Sequence, residues 1–277
     1  MTSHQFELGY LCKLRDWIPI EKLDWSGLSI NLNAIRLLEK NLDKIDFKRL
    51  SLNPNAIHIL ENNINQINWE FLSTNPNAIR LLEQNPDKIV WFMLSVNPNA
   101  IHLLEQNLDK INWYHLSENS NAIHLLEQNP DKIDWYYLSG NSNAIHLFEQ
   151  NLDKISWYLL SENLNAIQLL EKNPEKIQWK LLSGNPNAIH LLEQNIEKIH
   201  WSHLCLNPNA IHLLIQNPNE ILLDWLSYNP SIFEYDYEAM RGRMRPLAED
   251  LMADRFHPRN FEKWIGWGFD EFNEFEF

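Results

Sequence analysis

The sequence predicts an all-α fold, an α-solenoid of nine to ten 22-residue, two-helix repeats with distinct segments at its two ends. Three observations lead there: an uninterrupted period, two Asn-Pro-type steps in each period, and helical spacing of the apolar residues after each step. Trp25, Phe47, Trp69, Trp91, Trp113, Trp135, Trp157, Trp179 and Trp201 stand 22 residues apart, and Leu223 closes the series. Self-similarity at such a period marks a repeat architecture, in which each unit buries its neighbour.

The boundaries follow from the period. Residues 1–25 form an N-terminal cap or half repeat, because Glu21, Lys22, Leu23, Asp24 and Trp25 reproduce the D-K-I-D-W end of a unit. Nine units fill 26–223, and 224–277 hold a degenerate tenth unit followed by a C-terminal cap or docking segment. Within a unit, Asn53-Pro54 and Asn85-Pro86 exemplify the two steps. Asn is a strong N-cap, and Pro at the first helical position gives up no hydrogen bond. Where Pro is replaced (Leu32, Ile64, Ser120, Leu164), the Asn before it stays.

The first predicted helix runs through Asn-Ala-Ile-His-Leu-Leu-Glu-Gln. Ala122, Ile123, Leu125 and Leu126 share one sector of it, and His124 points away. The second runs through Pro-Asp-Lys-Ile-Asp-Trp-Tyr-Tyr-Leu; Ile133, Trp135 and Leu138 spread around most of its circumference, as in an inner helix packed on several sides. Helices this short are unstable alone, so stacking supplies the stability. At about 8–10 Å per helix layer, the units predict a rod or superhelix roughly 80 Å long. A leucine-rich-repeat solenoid shares the period and an Asn column. Its L-x-L-x-x-N core meets His124 and Leu126 before Asn129, and Tyr136 and Leu138 before Asn141, a partial fit that leaves the Asn-Pro steps unexplained.

Beyond Tyr228 the composition changes. Ile232 to Leu251 can form helix interrupted by Gly242 and Pro246, and Phe272, Phe275 and Phe277 alternate with acidic residues. This end reads as a cap over the last unit or as a docking element for a second partner.

The repeated unit N-P-N-A-I-H-L-L-E-Q-N-P-D-K-I-D-W and the ending F-H-P-R-N-F-E-K-W-I-G-W-G-F-D resemble the expanded repeat families of giant DNA viruses. The resemblance covers nearly the whole chain. It implies a viral, intracellular protein located in host cytoplasm or virion, and it brings no catalytic residues with it.

Charge and motif content narrow the function. A net charge of −14 disfavours non-specific nucleic-acid binding and docking on anionic lipid. Cys12 and Cys205 are too few for a disulfide framework or a cysteine-based zinc site. No secretory signal and no apolar run of about 20 residues is visible, which predicts an intracellular protein outside the membrane. No phosphate loop, nucleophile elbow or zinc-protease motif occurs, and no cofactor is expected. The His column (His58, His102, His124, His146, His190, His212) reads as a solvated face, each His paired with the Glu three residues on, as in His124 and Glu127. Its members stand about one repeat apart, too far to share a metal. The Asn columns, Asn31 to Asn229 and Asn41 to Asn217, read as caps and as a ladder between turns.

Function is expected where the units disagree. One varying column precedes the Trp (Asp46, Asn68, Val90, Asn112, Asp134, Ser156, Gln178, His200), and another lies two residues after it. Together they predict a protein-binding stripe anchored by Phe71, Met93, His115, Tyr137 and Leu159, with Asp134 beside them. The column between, Phe92, Tyr114, Tyr136 and Tyr158, is expected to pack between units. The leading expectation is a non-enzymatic scaffold that binds protein as a monomer, an adaptor or host-interaction module. The alternative is a self-associating virion or assembly component.

Overall fold

The computed structural model describes residues 12–242 and 245. These fall into two compact units, the first extending to Glu234 and the second beginning at Tyr235. The first is an all-α repeat solenoid in which a short helix starts at Trp25, Phe47 and every following period position to Leu223.

One period shows how the sequence builds it. Trp113–Glu118 is α-helical, Asn119 to Ala122 turn the chain, Ile123–Gln128 is helical again, and Pro130–Lys132 is a 3-10 turn. The chain then extends through Ile133 and Asp134 before the next helix, Trp135–Leu138. The predicted second helix is therefore two pieces. Asp134 breaks it by accepting the Tyr137 N–H at 3.0 Å, which makes it an N-cap instead of a helical residue. We call Trp113–Glu118 and its equivalents the Trp helices, and Ile123–Gln128 and its equivalents the Ile helices.

Both helices turn their leucines into one core. Leu116, Leu126, Ala122 and Ser117 have no accessible surface, nor do their period equivalents Leu138, Leu82, Ala144 and Ser139. An alanine with no accessible surface allows the chain to approach closely, and any larger side chain there would overpack. The Trp side chains are half-buried against this core.

Polar groups register one unit on the next. Asn119 Nδ2 donates to the carbonyls of Ser95 at 2.9 Å and Asn97 at 3.0 Å, and its Oδ1 accepts from Asn121 N at 3.0 Å. Asn121 Nδ2 reaches the Pro98 carbonyl at 2.9 Å, a second ladder on the surface. Ser117 Oγ donates to the Trp113 carbonyl at 2.8 Å and accepts from Asp134 N at 3.0 Å. Cys205 occupies the serine column and receives the Leu222 N–H at 3.5 Å. The other Asn column stays inside its own unit: Asn129 Nδ2 caps the Leu125 carbonyl at 2.9 Å.

The two ends of the first unit meet. Asn31 Nδ2 donates to the carbonyls of Ser227 and Asn229, both at 2.9 Å, Asn33 Nδ2 donates to Pro230 at 3.0 Å, and Asp24 N donates to Ser227 Oγ at 2.8 Å. Interior bonds of these four kinds span 24, 22, 23 and 17 residues. The seam bonds span 196, 198, 197 and 203, and each pair sums to 220, ten periods of 22. The seam thus repeats the interior contact, and the solenoid closes on itself. Strand β1 (Cys12–Leu14) pairs with β2 (Phe233–Tyr235), and Arg15 ties the joint through Nε to the Ser231 carbonyl at 2.8 Å and an ion pair with Glu234 at 3.1 Å. Gly27 is required there, because a Cβ would sit 2.8 Å from Ser227 Cβ and 2.9 Å from a Tyr228 ring carbon. The expected rod with water-facing ends is replaced by an arrangement in which the first turn of the solenoid caps the last.

In the second unit, the helix expected from Ile232 starts later. Ile232 ends a 3-10 turn, Phe233–Tyr235 is strand, and helix begins at 237, where Asp236 Oδ1 accepts from Ala239 N at 3.0 Å. Leu251, Pro246, Phe272, Phe275 and Phe277 lie outside the described residues.

Candidate binding surface

The Trp helix places each column by simple phase. At about 100° per residue, Leu138 and Ser139 point to the core, and the opposite face presents Tyr136, Tyr137 and Gly140. Every unit therefore offers the first and second residues after the Trp, together with the fifth, on one exposed face. The column expected to pack between units is the exposed one: Phe92, Tyr114, Tyr136 and Tyr158 are 42%, 61%, 50% and 47% accessible. One long helix would carry this column nearer the core; in the short helix Leu138 and Ser139 are the residues without accessible surface.

The predicted anchors are half-buried beside it. Phe71, Met93, His115, Tyr137 and Leu159 lean toward the neighbouring unit. His115 lies 5.9 Å from the rings of both Phe92 and Tyr137, and Tyr136 meets Tyr137 edge-on at 5.4 Å. Lys48 Nζ sits 5.3 Å from the Phe71 ring, and His203 stacks on Trp225 at 5.5 Å. The two columns form one continuous surface. Asp134 is not on it; its carboxylate is engaged as a cap, as are the side-chain oxygens of Asp46, Asn68, Asn112 and Ser156 in the same column.

Contacts between elements are most extensive within five pairs of successive Trp helices, as in a layer on the inner circumference of a closed arrangement. The behaviour of Glu118 agrees. It is exposed to water, yet surrounding protein desolvates it and holds its carboxyl above the ordinary range; His115 opposes the shift and Glu162 adds to it. His203 is pushed down, first by desolvation and then by His200 and Lys180.

Two of the clefts among the described residues open along the Trp layer. One of about 440 Å³ lies between Ile111–Tyr114 and Asp131–Asp134. Lys110 and Lys154 cover Trp91 and Trp135 at 4.3 and 4.8 Å, whereas Lys132 turns to Asp131 and leaves the cleft beside Trp113 open. The other, about 400 Å³, lies at the seam among Asp24, Arg49, Leu206, Asp224, Trp225 and Tyr228.

On the Ile helices the histidines pair differently from the expectation. His124 Nε2 meets Glu105 of the preceding unit at 3.0 Å, not Glu127, which instead bonds His146 at 3.0 Å. The column is a ladder between units. Among the described residues no group of three or more His, Cys, Asp or Glu side chains is placed to hold a metal ion. None of the described helices is long and apolar enough to cross a membrane. Comparison with protein-family models, with curated proteins and with solved structures yields no match to this chain.

Proposed function

We propose that the chain is a non-enzymatic scaffold whose closed solenoid holds a segment of a protein partner against its inner wall. The observation that supports this reading is the run of exposed aromatics at one helix position in four successive units, Phe92, Tyr114, Tyr136 and Tyr158. Exposed aromatic surface of that extent marks an interaction site, and aromatic side chains bury large area at little conformational cost.

In this reading ten units form the ring. Ten Trp helices at about 9 Å spacing give an axis circle of radius about 14 Å, and a helix half-width of about 5–6 Å leaves an opening roughly 16–18 Å across. An extended peptide or a single helix fits such an opening. With the resemblance to viral repeat families, the reading becomes a host-interaction module or adaptor in an infected cell. Closure also consumes the two end faces of the solenoid, which takes away the simplest surface for end-to-end assembly.

Affinity capture with the Tyr114→Ser/Tyr136→Ser variant tests the proposal. Partner recovery should fall at least tenfold with the melting temperature nearly unchanged. Undiminished recovery, or concentration-dependent growth of the wild type in light scattering, would favour the self-assembling alternative.

A further inference from the structure

We infer that the segment held on this surface is basic, with a Lys or Arg side chain seated over Gly140 between Glu118 and Glu162. The inference rests on the aromatic wall being the binding surface, and it adds the chemistry of the occupant.

Glu118, Gly140 and Glu162 occupy the same position, five residues after the Trp, in three successive units. Among the described residues neither glutamate forms an ion pair or a side-chain hydrogen bond, although eleven other ion-pair contacts are present. Desolvation chiefly holds the Glu118 carboxyl above its ordinary range, and the negative charge of Glu162 adds to it by repulsion. Between them Gly140 leaves a gap: a Cβ there would meet only the Tyr137 carbonyl oxygen at 3.5 Å, an ordinary contact, so space alone does not demand glycine.

The walls of the gap suit a cation. Tyr136 and Tyr137 stand at 89° to one another with centroids 5.4 Å apart, two sides of an aromatic corner. A cation over an aromatic face is attracted by the ring quadrupole. The chain uses that contact itself, with Lys48 over Phe71 on the same surface and Lys110 over Trp91 nearby. An arginine or lysine from a partner would relieve the repulsion between the carboxylates and place its aliphatic stem on the tyrosines. Flanking apolar residues of the segment would meet Tyr114 on one side and Tyr158 on the other.

The test uses the full chain and two acetylated, amidated peptides, Phe-Ala-Arg-Ala-Phe and its counterpart with norleucine for arginine, titrated by intrinsic fluorescence. The arginine peptide should bind about tenfold more tightly, the range expected for one cation–π contact with a carboxylate partner. Glu118→Gln/Glu162→Gln should erase the difference without weakening the norleucine peptide. Gly140→Lys, which supplies a cation in the gap, should block the arginine peptide while the melting temperature holds. Equal binding of the two peptides, or a preference that survives the double substitution, overturns the inference but leaves the aromatic surface standing if Tyr136→Ser weakens both. If neither peptide binds, or Tyr136→Ser changes nothing, the surface assignment falls with it.

Discussion

At the residue scale, one carboxamide does most of the joining. Asn119 satisfies two buried carbonyls of the preceding unit and one part-buried N–H of its own turn. Asn119→Ala leaves those groups without partners, at roughly 1 kcal/mol or more each, so we expect a loss of about 3 kcal/mol in urea denaturation. The constancy of the Asn was legible as capping and a ladder. The companion bond from Asn121 was not, because its position looks like an ordinary helix start. Glu118 carries a different prediction. Its carboxyl is raised in the folded chain, so ionisation favours the unfolded state. Stability from this group is lost as pH rises from the ordinary value of 4.5 through the raised folded one, and stays lost above it. Glu118→Gln should therefore raise the urea midpoint at pH 7, and the gain should vanish below about pH 4. A variant less stable than wild type at pH 7 would contradict this.

At the element scale, the break between the 3-10 turn and the Trp helix decides which side chains are available. Asp134 fixes the start of Trp135–Leu138 by capping it. Asp134→Ala should cost about 1 kcal/mol in stability, as cap removal does, and leave partner capture intact. Gln178, His200 and Leu222 hold the same place without a side-chain cap, which explains why the column varies freely. In the sequence that variation read as freedom to bind. An Asp before Trp is itself a start signal, but the Pro-Asp-Lys just ahead signals an earlier start. Two starts five residues apart look like one helix until the 3-10 turn is seen. The helical phase of Phe92, Tyr114, Tyr136 and Tyr158 shifted with that start, and so did their assignment. The column from Phe71 to Leu159 lies half-buried beside them.

At the scale of the whole molecule, the period identifies a solenoid but not its curvature. Each unit has the same local pattern whether the stack runs open or closes, and the rotation per unit comes from small packing differences that no motif records. The signs of closure sit at isolated positions: Gly27, where Ser227 and Tyr228 press in, and Arg15, which reaches Ser231 and Glu234. Neither stands out in a single sequence, because both lie where the period begins to fade. In the proposed function closure matters because the aromatic columns then form an inner wall that surrounds the captured segment. The most direct test is a cross-link over the seam. A zero-length carbodiimide cross-link suits it, because Lys13 Nζ lies 3.6 Å from Glu234 Oε1 across the joint in the native chain. The account predicts a monomer with an intramolecular amide, formed at high dilution and found by mass spectrometry as a 13–234 linked peptide. No 13–234 link, or links only between molecules, would mean that the ends stand apart and the solenoid is open.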